Sequence, residues 1–138
     1  MTTGNRVIVK RLPERVVLGE AEQIFGELKP LLHSERPILV LDFSDVQQID
    51  SSGIELLLRS LEEVIKRNGD LKLAAIPPAA AVVLELTGVD RFFEIYENTS
   101  EAVDSFYQLP VHALQQVRQS WRSAFQRFGD EAELKIAS

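Results

Sequence analysis

The run PILVLDF, Pro37 to Phe43, is almost uniformly apolar. A strand with one face in water would alternate apolar and polar side chains, so this one needs cover on both faces. A few residues later the period changes. Ile54, Leu57, Leu58, Leu61 and Ile65 recur at helical spacing, with charged residues on the opposite side. An interior strand that leads into an amphipathic helix confines the chain to layered α/β architectures.

The same helix carries Glu55 with Arg59, Glu62 with Lys66, and Glu63 with Arg67, all at i,i+4 in the favourable order. Each such pair contributes about 0.2–0.5 kcal/mol. Asn68-Gly69 supplies its stop. Upstream, RVIVKRL (Arg6 to Leu12) alternates and is rich in β-branched residues, which marks a first strand. After Gly19, residues Ile24, Phe25, Leu28, Leu31 and Leu32 mark a first helix, with Pro30 near its C-terminal end where proline tends to end a helix. Downstream, LKLAAI (Leu71 to Ile76) is a short strand closed by Pro77-Pro78, AAAVVLELTG is a helix ending near Gly88, and FFEIYE is a last short strand. Asn98 then caps a helix through Phe106, with Glu101 as capping partner. The alternation predicts an α/β domain around a sheet of about four strands.

At 138 residues the chain suits one domain, since these typically hold about 100–150 residues. We place that domain at residues 1–109 and a C-terminal extension at 110–138. In the extension, Leu114, Val117, Trp121, Ala124, Phe125 and Phe128 share one helical face, and Arg118, Arg122 and Arg127 are the only charges before an acidic tail. Such a helix either folds back on its own domain, the first expectation, or serves a homodimer or another partner. The net charge of -6 disfavours sequence-independent binding to nucleic acid or anionic lipid, both themselves negative. There is no cysteine, which excludes thiolate metal sites and cysteine nucleophiles. Neither a secretory signal nor an apolar run of about 18 residues is present, so no membrane span and a cytoplasmic location are expected.

Two serines stand between the interior strand and the helix. Ser52 and Glu55 fit the S-x-x-E capping box, in which the Ser52 hydroxyl accepts from the Glu55 N–H, a cap worth about 0.5–2 kcal/mol. Gly53 lets the turn lie close to the sheet. The turn is also where open α/β sheets commonly place their sites. A phosphate on a hydroxyl here would add a charge of about −1.5 to −2. It would be tolerated by the helix N-terminus and would sit beside Asp50 and near Asp45.

LVLDFSDVQQIDSSGIELLL, followed by NGDLKLAAIPPAAAVVLELTGVDRFFEIYENTSEAV, resembles the domain shared by sulphate transporters and anti-sigma factor antagonists, the STAS domain, and in particular its bacterial antagonist branch. The resemblance runs over roughly residues 6 to 107. It implies a mixed β-sheet of about four strands with helices mainly on one face, here followed by the C-terminal extension helix. It implies a phosphorylation-switched binding module that sequesters a kinase-type anti-sigma factor and so regulates sigma-factor-dependent transcription. The implied acceptor is Ser52 first and Ser51 second, with Asp50 and Gly53 shaping the turn. The docking surface would run from Asp45 through Asp50, Ser51, Ser52, Gly53 and Glu55 to Arg59. Glu14 and Val17 stand where many antagonists carry a glycine and an acidic residue. The second reading is a non-switched scaffold subunit of a signalling or lipid-transport assembly, in which the serines only cap a helix.

Other chemistries find less support. Asp42, Asp45 and Asp50 cluster near a strand end as in a phosphoaspartate receiver, but the acidic residues after the first strand and the late lysine of a receiver are missing. His33 and His112 fall in different predicted helices and read as surface residues. The chain contains no G-x-S-x-G elbow and no glycine-rich phosphate loop. No enzymatic activity, cofactor or metal is expected.

Overall fold

The computed structural model describes residues 6–108. The extension 110–138, with its expected helix, His112 and Trp121, lies outside the described residues. The elements follow in the order β1 (Ile8–Arg11), β2 (Arg15–Val16), α1 (Glu20–Leu32), β3 (Ile38–Asp42), β4 (Gln48–Ile49), α2 (Ser51–Lys66), β5 (Asp70–Ala74), α3 (Pro78–Thr87), β6 (Ile95–Tyr96) and α4 (Thr99–Gln108). A 3₁₀ turn, Val89–Phe92, joins α3 to β6.

The main sheet has the order β1-β3-β5-β6, and β2 and β4 pair separately. Every one of these pairings is parallel. The mixed sheet implied by the resemblance is therefore corrected to a parallel one among the described residues, because a helix crosses over between each pair of neighbouring strands. The four-strand α/β architecture itself is as expected.

Interior strand β3 does need cover on both faces. Leu39 and Leu41 join Leu71 and Leu73 of β5 in the larger core, under Phe25 and Leu28 of α1, Leu57 and Leu61 of α2, and Leu84 of α3. Val40 and Ala74 take the other face, under Ala102 and Phe106 of α4. Helices thus lie mainly on one side, with α4 across the sheet from them. Among the described residues, no helix is long and apolar enough to cross a membrane.

Two local expectations shift. In α2, Ile54, Leu57 and Leu61 are buried, but so are Leu56, Ser60 and Val64, whereas Leu58 and Ile65 are only partly covered. The helix lies on the sheet and is also flanked by α1, so its buried arc reaches round to a second side. This flank also redirects the charges. Glu63 pairs with Arg67 at 3.7 Å as expected, but Lys66 turns to Glu63 at 3.6 Å, and Arg59 reaches Glu22 of α1 at 3.4 Å instead of Glu55. Helix α1, for its part, runs through Pro30 to Leu32. A proline in a helix interior costs about 3 kcal/mol. Pro30 sits in the last turn, and five buried residues from Ala21 to Leu32 hold the helix down, with a large apolar side chain contributing about 1.5–3 kcal/mol on full burial.

The second face of the sheet holds a polar group that the apolar reading of LKLAAI misses. Lys72 of β5 is 1% exposed. Its Nζ lies 3.0 Å from Glu94 Oε1, donates to Ser105 Oγ at 2.6 Å, and sits 4.0 Å from the centre of the Phe106 ring. Tyr96 OH donates to the same glutamate oxygen at 2.8 Å. The buried charge is thus paired and hydrogen-bonded, the condition under which a protein tolerates one.

Candidate functional site

Three short segments meet at the head of α2: the end of β2, the strand β4 and the turn that follows it. Asp50 ties them together. Its Oδ1 accepts from the Ser52 N–H at 2.9 Å and the Gly53 N–H at 3.3 Å, while Oδ2 accepts from the Leu18 N–H at 3.1 Å. Asp50 is therefore the N-cap of α2, with extended backbone, and Ser51 is the first helical residue. The Leu18 N–H contributes most to holding the Asp50 carboxyl below the ordinary aspartate range; partial loss of water opposes it, and the Gly53 and Ser52 N–H groups reinforce it.

This corrects the capping-box expectation. Ser52 lies inside the helix, not at its cap, and Glu55 is exposed one turn further on. The reason is the competing acceptor two residues earlier. An ionised carboxylate accepts more strongly than a hydroxyl, and Asp50 reaches both N–H groups that a cap satisfies at the second and third helical positions. The hydroxyls are left over. Ser51 is exposed, Ser52 is half-buried, and neither hydroxyl has a hydrogen-bond partner among the described residues.

Gly53 fixes how closely α2 approaches the small β2–β4 pair. A Cβ at this position would lie 2.3 Å from the Val16 carbonyl oxygen and 2.6 Å from Ile49 Cγ1. Only a residue without Cβ fits unless the backbone moves. The sequence predicts a close approach of Gly53 to the sheet, and the element it meets is the β2–β4 pair, two-residue strands too short for periodicity to reveal.

The structure brings Asp50, Ser51, Ser52 and Gly53 together in one turn and spreads the other candidates around it. Asp45 is exposed and lies 3.8 Å from Arg11, which also approaches the buried Asp42 at 3.6 Å. Asp42 and Asp45 thus share an arginine, while the Asp50 carboxylate is given to backbone N–H groups. Arg59 packs over the Phe25 ring, 4.1 Å from its centre. His33, exposed, lies 3.5 Å from Glu63. Leu18 was missed: it is 78% exposed beside the turn, held there by its N–H bond to Asp50. The available signal was a leucine immediately before Gly19, which takes φ +98° at the start of α1.

The family model described as the STAS domain matches residues 1–102. The chain belongs to the STAS domain family. Among relatives, a Thermotoga maritima protein provisionally named an anti-sigma factor antagonist is 32% identical over 66 residues, which are 48% of this chain and 58% of that protein. The aligned stretch therefore spans little more than half of the relative. The structure of an anti-sigma-factor antagonist (STAS) domain protein from Planctomyces limnophilus superposes with a TM-score of 0.67 at 26% identity, covering 72% of this chain and 90% of that one. The anti-sigma factor antagonist SpoIIAA in its unphosphorylated form gives a TM-score of 0.66 over 80% of this chain and 96% of its own, and at 20% identity this likeness is one of fold.

Proposed function

We propose that this STAS domain is an anti-sigma factor antagonist: a non-enzymatic, cytoplasmic module that docks a kinase-type anti-sigma factor and is released when the turn at the head of α2 is phosphorylated. The observation that carries the reading is the Asp50 cap. With the helix end already satisfied, the serine hydroxyls have no structural task among the described residues, and they sit at the surface beside an exposed leucine.

Exposure supports Ser51 as the first acceptor and Ser52 as the second, the reverse of the order implied by the resemblance, because a kinase needs access to the residue it modifies and Ser51 is the more exposed of the two. The docking surface comprises Asp45, Asp50, Ser51, Ser52, Gly53, Glu55 and Arg59, with Leu18 added as an apolar anchor of the kind that concentrates binding energy. A phosphate carrying about −1.5 to −2 charges cannot reach the Ser52 and Gly53 N–H groups without displacing Asp50, which already holds them. Its charge stays on the surface, next to another carboxylate, and acts on whatever docks there.

The test is phosphate transfer. Wild type, Ser51→Ala and Ser52→Ala are incubated with ATP and the source organism's lysate, and modified peptides are mapped by mass spectrometry. The proposal expects phosphate on the 51–52 pair of wild type and its loss or large reduction in Ser51→Ala. Absence of phosphate from both serines in wild type would favour the non-switched scaffold reading.

A further inference from the structure

A cleft of about 370 Å³ opens where β5 and β6 end. Ile76, just past β5, and Ile95 of β6 form its apolar wall together with Leu84 of α3. Three carboxylates line the same cleft from separate elements: Glu85 on α3, Asp90 on the 3₁₀ turn and Glu97 directly after β6. Among the described residues no lysine or arginine lines it, and none of the three carboxylates forms an ion pair. Ligand clefts hold about 300–1,000 Å³, and open α/β sheets commonly bind outside the carboxyl ends of their strands.

We propose that this cleft binds a linear aliphatic polyamine, its methylene stem on the apolar wall and its ammonium groups on the carboxylates. Sign is the first argument. Like charges around a cleft with apolar walls repel one another and focus their field into it, so an anion is turned away and a cation is drawn in. The spread of the carboxylates is the second. A divalent metal ion needs its oxygen ligands gathered at about 2.0–2.6 Å from one point, and no group of three or more His, Cys, Asp or Glu side chains among the described residues is gathered so as to hold one. Charges distributed around a cleft match a ligand whose own charges are spaced along a chain. The wall is the third argument. Ile76, Leu84 and Ile95 offer methylene groups a surface to bury against, which bare charge attraction does not need. Asp90 is half-buried, whereas Glu85 and Glu97 are exposed, an arrangement that suits one deeper ammonium group and others at the rim.

The test is calorimetric titration of the full chain with spermidine, and with diaminopropane and diaminohexane, which carry the same charge on a shorter and a longer stem. The proposal expects spermidine to saturate wild type at one per chain and diaminohexane to bind several-fold tighter than diaminopropane. Glu85→Gln/Glu97→Gln keeps the shape of two exposed side chains and should bind spermidine about tenfold or more weaker, since each loses a hydrogen bond between charged groups. Glu35→Gln/Glu62→Gln removes the same charge from exposed positions outside the cleft and should bind as wild type does. Equal weakening in the two variants, or equal affinity for the two diamines, would reduce the effect to diffuse attraction by an acidic chain and overturn the proposal. So would a wild type that does not bind spermidine, including the case in which an oligolysine peptide binds instead and assigns the cleft to a protein partner. None of these readouts depends on phosphorylation.

Discussion

The heads of α2 and α4 carry similar sequence signals and resolve them differently. At α4, Asn98 Oδ1 accepts from the Glu101 N–H at 2.8 Å, the cap that the spacing leads one to expect. At α2 the corresponding Ser52–Glu55 spacing is bypassed, and Asp50 takes the role two residues upstream. The difference lies in what precedes the signal. A carboxylate that can reach two helix N–H groups outcompetes a hydroxyl, and this one is also anchored to another segment through Leu18. The lesson bears on function: when the cap moves off the serines, their hydroxyls become available for something other than holding the helix.

The largest effect that can test this comparison is expected at Gly53. Gly53→Val forces side-chain atoms into the Val16 carbonyl and Ile49, an overpacking cost of about 3 kcal/mol that a urea melt will show. Glu101, at the same third position of α4, is exposed, and its change to Ala should stay within about 0.5 kcal/mol. Next comes Asp50→Ala, which loses the cap and the tie to Leu18 together and should lower Tm by more than Asn98→Ala. That α4 substitution should cost about 0.5–2 kcal/mol. If Asn98→Ala proved the more damaging, the asymmetry between the two caps would be reversed.

Acid separates the caps further. The Asp50 carboxyl is held below its ordinary value in the folded state, chiefly by the Leu18 N–H. Its contribution is therefore complete above the unfolded aspartate pKa of about 3.9 and is lost as pH falls from there through the lowered folded value. Stability measured from pH 6 down to 3 should show the gap between wild type and Asp50→Asn beginning to narrow once pH falls below that unfolded value, while the gap between wild type and Asn98→Ala stays nearly constant. The smallest effect is the most telling: Ser52→Ala and Ser51→Ala should each change stability by no more than about 0.5 kcal/mol, whereas a capping serine would lose about 1 kcal/mol.

Much of the fold was legible because its signals are long. The apolar run of β3, the existence of helix α2, the Asn98 cap and the stop at Asn68-Gly69 all appear as read. At that stop, Asn68 takes φ 61° and Gly69 donates to the Val64 carbonyl at 2.7 Å, a Schellman closure. What escaped depends on tertiary placement. Strands β2 and β4 are two residues each; Lys72 sits in an apolar pattern and is buried by partners that come from β6 and α4; and burial of Leu56 and Val64 depends on α1 arriving beside α2. The same holds at the site. The turn residues were legible as a motif, but Leu18 joins them only through a bond between segments 32 positions apart.

The most direct test of the central claim compares what the full chain holds. Wild type and the double variant Ser51→Asp/Ser52→Asp are used as bait in the source organism's lysate, and retained proteins are quantified by mass spectrometry. The account predicts that a kinase-fold anti-sigma factor is retained by wild type and lost at least tenfold from the variant, with thermal melting of the two chains nearly unchanged. Retention of the same partners by both baits would contradict the switch and leave the turn at the head of α2 a structural feature alone.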